Sequence, residues 1–97
     1  MYQKNPAYRS KAWMQAVASL PCVLCGKHGQ TQPAHRNEGK GMGMKTHDCW
    51  TAALCYECHS RIDQGAHLTR EDRRSLIDGA ILLTLSQLAN AGLVGPK

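Results

Sequence analysis

The sequence predicts a small α+β domain, and three observations support this class. Two cysteine pairs enclose a segment with the pattern strand, loop, strand, and a short helical segment opens at the second pair. Apolar residues at helical spacing lie before the first pair and after the second. A chain of 97 residues has the length of one domain. We expect an N-terminal helix within 1–21, a central unit at 22–65 and a C-terminal helix at 69–92.

The N-terminal helix is predicted to run from Arg9 to Leu20. Trp13 and Val17 share a face with Leu20 at helical spacing, which gives the helix one apolar side. Pro21 ends it, because the residue before a proline avoids the helical conformation.

The C-terminal helix is predicted to begin after Thr69, a favourable N-cap that is followed by acidic residues in the first turn. Gly92 provides a C-terminal stop. Gly79 lies within the helix, where glycine costs about 1 kcal/mol relative to alanine, and one interpretation is a close helix crossing. We expect the helix to pack over the central unit through an apolar stripe that consists of Ile77, Ile81, Leu85 and Leu88.

The central unit begins with CVLCGKHG, a tight knuckle that contains Gly26. A short extended piece ends at AHR, and the loop NEGKGMGMKTHD leads to the strand CWTAAL. CYECHSRIDQG then forms a turn and opens a short helix near Cys58, which Gly65 stops. The predicted order is therefore helix, strand, strand, helix, helix.

The composition is that of a globular chain with a thin apolar core. Hydrophobic residues make up 42% and charged residues 20%, which argues against disorder, but Phe is absent and aromatic residues are only 5%. Such a core favours a staple such as a bound metal. No run of about eighteen apolar residues predicts a transmembrane helix, and the polar N-terminus lacks the apolar middle of a signal peptide. We expect a cytoplasmic protein with reduced cysteines and no membrane partner.

The formal net charge of +5 suggests a polyanionic partner such as nucleic acid. Four thiolates would add four negative charges and one zinc ion two positive charges, so the net charge would fall to +3. A second divalent ion would bring the net charge back to +5. The alternative interpretation is ordinary solubilising charge.

Four of the five cysteines form two CxxC pairs, Cys22 with Cys25 and Cys55 with Cys58. A pair at this spacing turns tightly enough to give two ligands of a tetrahedral metal, and two pairs make the closed site that is typical of structural zinc. The alternatives are buried free thiols and a redox CxxC. Cys49 is left over, and we interpret it as a small buried residue on the second strand.

His59 and Asp63 indicate a second site, because they lie four residues apart on one face of the short helix. An imidazole and a carboxylate suit Mg²⁺, Mn²⁺, Zn²⁺ or Ni²⁺, all usable in phosphodiester chemistry. A His–Asp surface contact is the alternative. If zinc clamps the strands to the helix, His35 and Asp48 can converge with this pair.

These motifs together resemble the HNH (ββα-metal, His-Me finger) endonucleases in their zinc-ribbon form. More narrowly, residues 20–64 are similar to small phage and prophage nucleases of the YbcO type and the recombination-enhancement (Ref) nucleases. The resemblance implies a zinc-stapled ββα-metal core flanked by N- and C-terminal helices. The positions that carry it are Gly41, Met42, Gly43, Lys45, Asp48, Leu54, Cys55, Cys58, His59 and Asp63.

The resemblance also implies catalytic roles. His35 matches the general base that activates water, and His59 matches the metal-binding histidine of the helix. Asp63 occupies a metal-ligand position, and Asp48 either binds metal or orients His35. In an alternative alignment His35 is itself a ligand and Arg36 stands at the position of the base. The second metal is expected to be Mg²⁺ or Mn²⁺, with Zn²⁺ or Ni²⁺ as alternatives.

The function expected from the resemblance is hydrolysis of DNA phosphodiester bonds in phage or prophage recombination, within the bacterial host cell. DNA is the expected partner, together with a recombinase filament or other phage recombination proteins. Glycines in NEGKGMGMK let backbone amides approach phosphate, although a merely flexible loop is the alternative. The alternative functions are a non-catalytic zinc-ribbon module that binds nucleic acid or protein, and a nuclease-derived scaffold. Residues predicted to contact the DNA backbone are Arg36, Lys40, Lys45 and Arg61.

Overall fold

The computed structural model describes residues 8–36 and 47–94, which form a small α+β domain with three helices and a two-stranded antiparallel sheet. The predicted class and the predicted order of elements are confirmed. Within these residues, no helix is long and apolar enough to cross a membrane. The elements are α1 (Lys11–Ala18), β1 (Thr31–His35), β2 (Thr51–Cys55), α2 (Tyr56–Gln64) and α3 (Arg70–Asn90).

Helix α1 is shorter than predicted because its N-cap lies inside the predicted range. The hydroxyl of Ser10 accepts a 3.0 Å hydrogen bond from the backbone N–H of Trp13, so the helix begins at Lys11. Val17 is fully buried and Leu20 nearly so, and Trp13 packs beside them. The predicted apolar face is confirmed.

The sheet pairs Ala34 with Ala52 and His35 with Thr51. Successive side chains of a strand alternate between the two faces of the sheet. Ala34 and Ala52 face a cluster built from α2 and α3, whereas Ala53 packs against α1 and the end of α3. His35 has the parity of Ala53 and therefore points to the α1 face.

The outer edge of β2 is covered by two elements. Val23 of the first knuckle donates its backbone N–H to the carbonyl of Ala53 at 2.9 Å. The N–H of Ala53 donates to Oγ1 of Thr84 in α3, also at 2.9 Å. Thr84 in turn donates to the carbonyl of Ala80 at 2.8 Å. A strand edge that is satisfied in this way does not present a free pairing surface.

Helix α3 begins as predicted, because Thr69 and Asp72 form a capping box. It ends at Asn90, and the φ of +73° at Gly92 just beyond lets the N–H of Leu93 reach back to the carbonyl of Leu88 in the last turn. The predicted stripe is partly wrong, since Leu85 is 36% exposed and Thr84 points inward. The interpretation of Gly79 as a close helix crossing is also wrong, because a Cβ there would meet nothing within 4 Å.

Candidate functional site

The four cysteines of the two CxxC pairs lie together. Their sulfur atoms are all within 4.8 Å of one another, and Sγ of Cys25 and Sγ of Cys55 are 3.7 Å apart. A tetrahedron with zinc–sulfur bonds of about 2.3 Å has an edge of about 3.8 Å. The cluster can therefore hold a structural zinc ion, as the spacing of the cysteines predicts.

Different local structures supply the two pairs. The first pair sits on a knuckle closed by a 2.8 Å hydrogen bond from the N–H of Gly26 to the carbonyl of Cys22, with Gly26 at φ +80°. In the second pair, Cys55 ends β2 and is the N-cap of α2, and Cys58 lies in the first turn. The helix thus starts at Tyr56, earlier than the predicted start near Cys58.

The thiols of the cluster differ in acidity. Burial opposes ionisation of Cys22, but backbone N–H groups of Cys55, Cys25 and Leu24 reach its sulfur and lower the pKa of Cys22 to about 6. Burial, together with the neighbouring sulfurs, raises the pKa of Cys58 to about 12. Thiolates this close repel one another, and a divalent cation bound among the sulfurs removes that repulsion.

An ion pair ties the first knuckle to α2. The ammonium group of Lys27 contacts the carboxylate of Glu57, and this hydrogen bond raises the pKa of Lys27 and lowers that of Glu57.

The fifth cysteine stands apart from the cluster. Cys49 is half-buried in the turn before β2, so its prediction as a buried strand residue is wrong.

His35 and Asp48 form a hydrogen-bonded pair on the α1 face. Nε2 of His35 lies 3.1 Å from Oδ1 of Asp48, which also accepts a 2.9 Å bond from the guanidinium of Arg9. The other carboxylate oxygen accepts the backbone N–H of Ser10 at 2.8 Å. Asp48 is buried, whereas the side chain of His35 is 28% exposed.

The surroundings of Asp48 hold it ionised. The N–H of Ser10 lowers the pKa of this carboxyl, His35 and Arg9 lower it further, and burial only partly opposes them. An ionised carboxylate only accepts hydrogen bonds, so Nε2 of His35 carries the proton. In the neutral tautomer that makes this bond, Nδ1 is the acceptor nitrogen of the ring. Of the two roles predicted for Asp48, this geometry favours orienting His35.

His59 and Asp63 meet as predicted on one face of α2. Nε2 of His59 and Oδ2 of Asp63 are 3.2 Å apart, and their side chains are 26% and 44% exposed. Among residues 8–36 and 47–94, the four cysteines are the only group of three or more potential ligands whose donor atoms cluster. Ala34, which precedes His35, is fully buried in the core.

The four predicted catalytic residues are therefore brought together as two pairs. His35 and Asp48 lie on the face of the sheet that α1 covers, whereas α2, which carries His59 and Asp63, packs on the other face. The expected convergence into one group of ligands does not occur. The structure instead has two separate pairs. Asp48 orients the His35 imidazole at the end of β1, and His59 contacts Asp63 on α2.

The predicted DNA-binding residues have different surroundings. Arg36 forms two hydrogen bonds with Asp78 of α3, at 2.6 and 3.3 Å. Arg61 is exposed on α2. Lys40 and Lys45, with the glycine-rich loop, lie outside the described residues. A further arginine, Arg73 near the start of α3, donates hydrogen bonds to the carbonyls of Ile62 and Gly65 at the end of α2.

Sequence reasoning missed the partners that fix these residues. Arg9 and Ser10 contact Asp48 across a separation of 39 and 38 residues, and Asp78 contacts Arg36 across 42. Ser10 before an apolar helical pattern is an N-cap signal that was available. No local pattern indicates the two ion pairs.

Fold and site together define a small α+β protein with a four-cysteine cluster that can hold a metal ion and with two separate His–Asp pairs. A protein-family model described as "Protein of unknown function (DUF968)" matches residues 2–72, which include the four cysteines and both pairs. The chain belongs to this family. No curated protein and no solved structure matches the chain.

Proposed function

We propose that the protein is a metal-dependent endonuclease of the HNH class, which hydrolyses DNA phosphodiester bonds. The observation that carries the proposal is the His35–Asp48 hydrogen bond, which orients an imidazole, together with a part-exposed His59–Asp63 pair on α2. A closed four-cysteine site has no position for substrate, so a purely structural zinc protein has no need of either pair. The resemblance of residues 20–64 to zinc-ribbon HNH enzymes supports the same assignment.

His35 acts as the general base in this proposal. Asp48 fixes its ring through Nε2 and stabilises the imidazolium that forms when Nδ1 takes a proton from water. The ring is part-exposed, so water can reach it. The bonds from Arg9 and Ser10 keep Asp48 from rotating away.

His59 and Asp63 would hold the catalytic metal. Mg²⁺ and Mn²⁺ are commonly bound by one or two protein ligands together with water and substrate phosphate, so two protein donors fit this use. The bound ion supplies charge stabilisation at the phosphate and the leaving oxygen.

The biological setting follows from the resemblance and belongs to the same proposal. It is DNA processing in phage or prophage recombination within a bacterial host cell. The partners are DNA and a recombinase filament or other recombination proteins. The basic net charge of the chain favours a polyanionic partner.

The test is plasmid cleavage by zinc-loaded protein with added Mg²⁺, Mn²⁺ or Ni²⁺. His35→Ala and His59→Ala are compared with His67→Ala, which alters an exposed histidine outside both pairs. We expect cleavage by the wild type and by His67→Ala, and at least a hundredfold loss in the other two because general-base catalysis contributes about 10²–10⁴-fold. Zinc content should stay at one ion per chain in all four proteins. Cleavage that survives in both His35→Ala and His59→Ala would contradict the proposal.

A second function, a non-catalytic zinc-ribbon module that binds nucleic acid or protein, is favoured by one observation. Ala34 is buried and offers no ligand, and no third ligand joins His59 and Asp63 within the described ranges. This alternative predicts that DNA is shifted on a gel but not cut with any of the three metals.

A further inference from the structure

A groove opens on the face of the sheet opposite His35. It has a volume of about 310 Å³, at the lower end of the roughly 300–1,000 Å³ range of small-molecule pockets. Two of its large apolar side chains are unusually exposed, Trp50 at 42% and Leu82 at 65%. The groove is lined by Arg36, Trp50, Asp78, Ile81 and Leu82.

The sheet places this groove directly behind the candidate base. The N–H of Arg36 donates to the carbonyl of Trp50 at 3.0 Å and so extends the ladder beyond His35. Successive side chains of a strand point to opposite faces. His35 therefore points to α1, while Arg36 points to α3 and pairs with Asp78. Neighbouring Cα atoms are only about 3.8 Å apart, so one strand of nucleic acid that crosses this end of the sheet can meet both faces.

Trp50 is held in position from the backbone and from its ring. Its N–H donates to the carbonyl of His47 at 3.0 Å, and the His47 ring packs edge-on against the indole with centroids 4.6 Å apart. A rigid, half-exposed indole opposite aliphatic side chains is a stacking surface for a flat π-system. Each oxygen of Asp78 accepts one bond from Arg36, and a carboxylate has about four lone-pair sites. Asp78 therefore keeps acceptor capacity for an amino group.

We propose that this groove binds one unpaired nucleobase of the DNA strand whose phosphodiester lies at His35. The inference rests on the proposed nuclease function and adds a substrate class, single-stranded or locally unpaired DNA. A flat base fits between Trp50 and Leu82, and the Asp78 carboxylate favours bases that carry an amino group. Bases inside a duplex are stacked on their neighbours and cannot enter the groove.

The lining and the charge favour a DNA strand over an apolar peptide. The part-exposed Arg36–Asp78 ion pair at the rim offers nothing to an apolar side chain, whereas a base presents donors and acceptors at its edge. The formal net charge is +5, or +3 with four thiolates and one zinc ion, and a positive charge attracts a phosphate backbone. The groove lies at the same end of the sheet as the His35 imidazole, on the opposite face.

The experiment measures DNA binding without cleavage. Zinc-loaded His35→Ala protein, with no other divalent metal added, is titrated into a labelled single-stranded oligonucleotide and into the matching duplex. Trp50→Ala and Trp50→Phe are introduced into this background, with Tyr56→Ala as the matched control because Tyr56 is a more exposed aromatic outside the groove. We expect Trp50→Ala to weaken single-strand binding about tenfold or more, Trp50→Phe to restore most of it, and Tyr56→Ala to change nothing.

Two further readouts keep the proposal testable if Trp50→Ala folds poorly. Indole fluorescence should be quenched by the single strand in His35→Ala protein and not in its Trp50→Phe variant. An oligonucleotide without bases should bind the unmutated groove as weakly as the normal strand binds Trp50→Ala. Equal losses in Trp50→Ala and Tyr56→Ala, or equal losses for single strand and duplex, would each overturn the proposal.

This result is independent of the cleavage assay. If the binding pattern holds while wild-type protein cuts DNA with none of the metals, the nuclease proposal fails and the base pocket stands. If the protein cuts DNA and the binding pattern is absent, only the base pocket fails.

Discussion

Asp48 joins three parts of the chain through one buried carboxylate. It accepts hydrogen bonds from the guanidinium of Arg9, the N-cap backbone of Ser10 and the ring of His35. The same residue therefore anchors α1 to the sheet and orients the candidate base. A change to the Asp48 carboxylate therefore releases both the N-terminus of α1 and the His35 imidazole.

Asp48→Asn should lower the free energy of unfolding at neutral pH by about 1–3 kcal/mol, because an amide nitrogen cannot accept the bonds that the carboxylate accepts. The contacts hold the pKa of Asp48 below its ordinary value of 3.8, so the folded state favours the ionised form. Its contribution is complete above that value and is lost as the pH falls through the lower folded pKa. The wild-type–variant difference should therefore shrink as the pH falls below about 4.

Thermal and urea unfolding of zinc-loaded protein measure this difference, with Glu71→Gln as the control because Glu71 is an exposed carboxylate of α3. The measurements extend down to the lowest pH at which both proteins keep their zinc. A difference that does not shrink as the pH falls from 5 to that limit would contradict the assignment.

At this scale the sequence singles out residues that form pairs in the structure, but it leaves out the other side chains that contact them. His35, Asp48, His59 and Asp63 are chemically distinctive, and the last two are neighbours on one helix by spacing alone. Arg9 and Asp48 meet only because α1 packs on one face of the sheet. Such a contact is decided by tertiary packing, which no local pattern encodes.

Helix α3 holds the outer edge of β2 through one hydroxyl. Thr84 is 1% exposed, and its Oγ1 is the acceptor for the N–H of Ala53. An apolar stripe at helical spacing correctly predicts that Ile77, Ile81 and Leu88 face inward. It wrongly places Leu85 inward where the structure has Thr84, because the N–H of Ala53 at the strand edge needs a polar acceptor and a leucine cannot supply one. Hydrophobic periodicity has no signal for that requirement.

Thr84→Val should destabilise the protein by about 1–3 kcal/mol, since it keeps the side-chain shape but leaves the buried N–H of Ala53 without an acceptor. Thr84→Ser keeps the hydroxyl and serves as the matched control. Amide hydrogen exchange gives the specific readout, with faster exchange expected at Ala53 in the valine variant only. Equal exchange rates at Ala53 in the two variants would show that the hydroxyl does not hold this edge.

The whole molecule is built on a small core. Among the described residues, the buried apolar side chains include four alanines and only seven larger aliphatic ones. The absence of Phe predicts this small core, and the two CxxC pairs predict four cysteines that meet to bind a metal. The four sulfur atoms do cluster. The sequence does not predict that the two His–Asp pairs fall on opposite faces, because that depends on the strand register.

Zinc should therefore be required for folding. The four cysteines connect the first knuckle, the end of β2 and the start of α2, so losing the ion releases three elements at once. Structural zinc contributes about 10–16 kcal/mol in small domains, as much as the whole stability of about 5–15 kcal/mol of a typical protein. Purified protein should contain one zinc ion per chain. A strong chelator should abolish the cooperative thermal transition, and added zinc should restore it.

Two variants separate the metal site from the fifth cysteine. Cys58→Ser should lose zinc and the helical circular dichroism signal together, because the site then has three thiolates and a buried hydroxyl. Cys49→Ser should keep both, since Cys49 lies in the turn before β2 and outside the cluster. Titration with Co²⁺ adds a direct readout, as thiolate coordination gives charge-transfer absorption that Cys49→Ser retains and Cys58→Ser alters. A metal-free protein that still melts cooperatively would mean that the apolar core is sufficient, and the cysteine cluster would then need a role other than holding the fold.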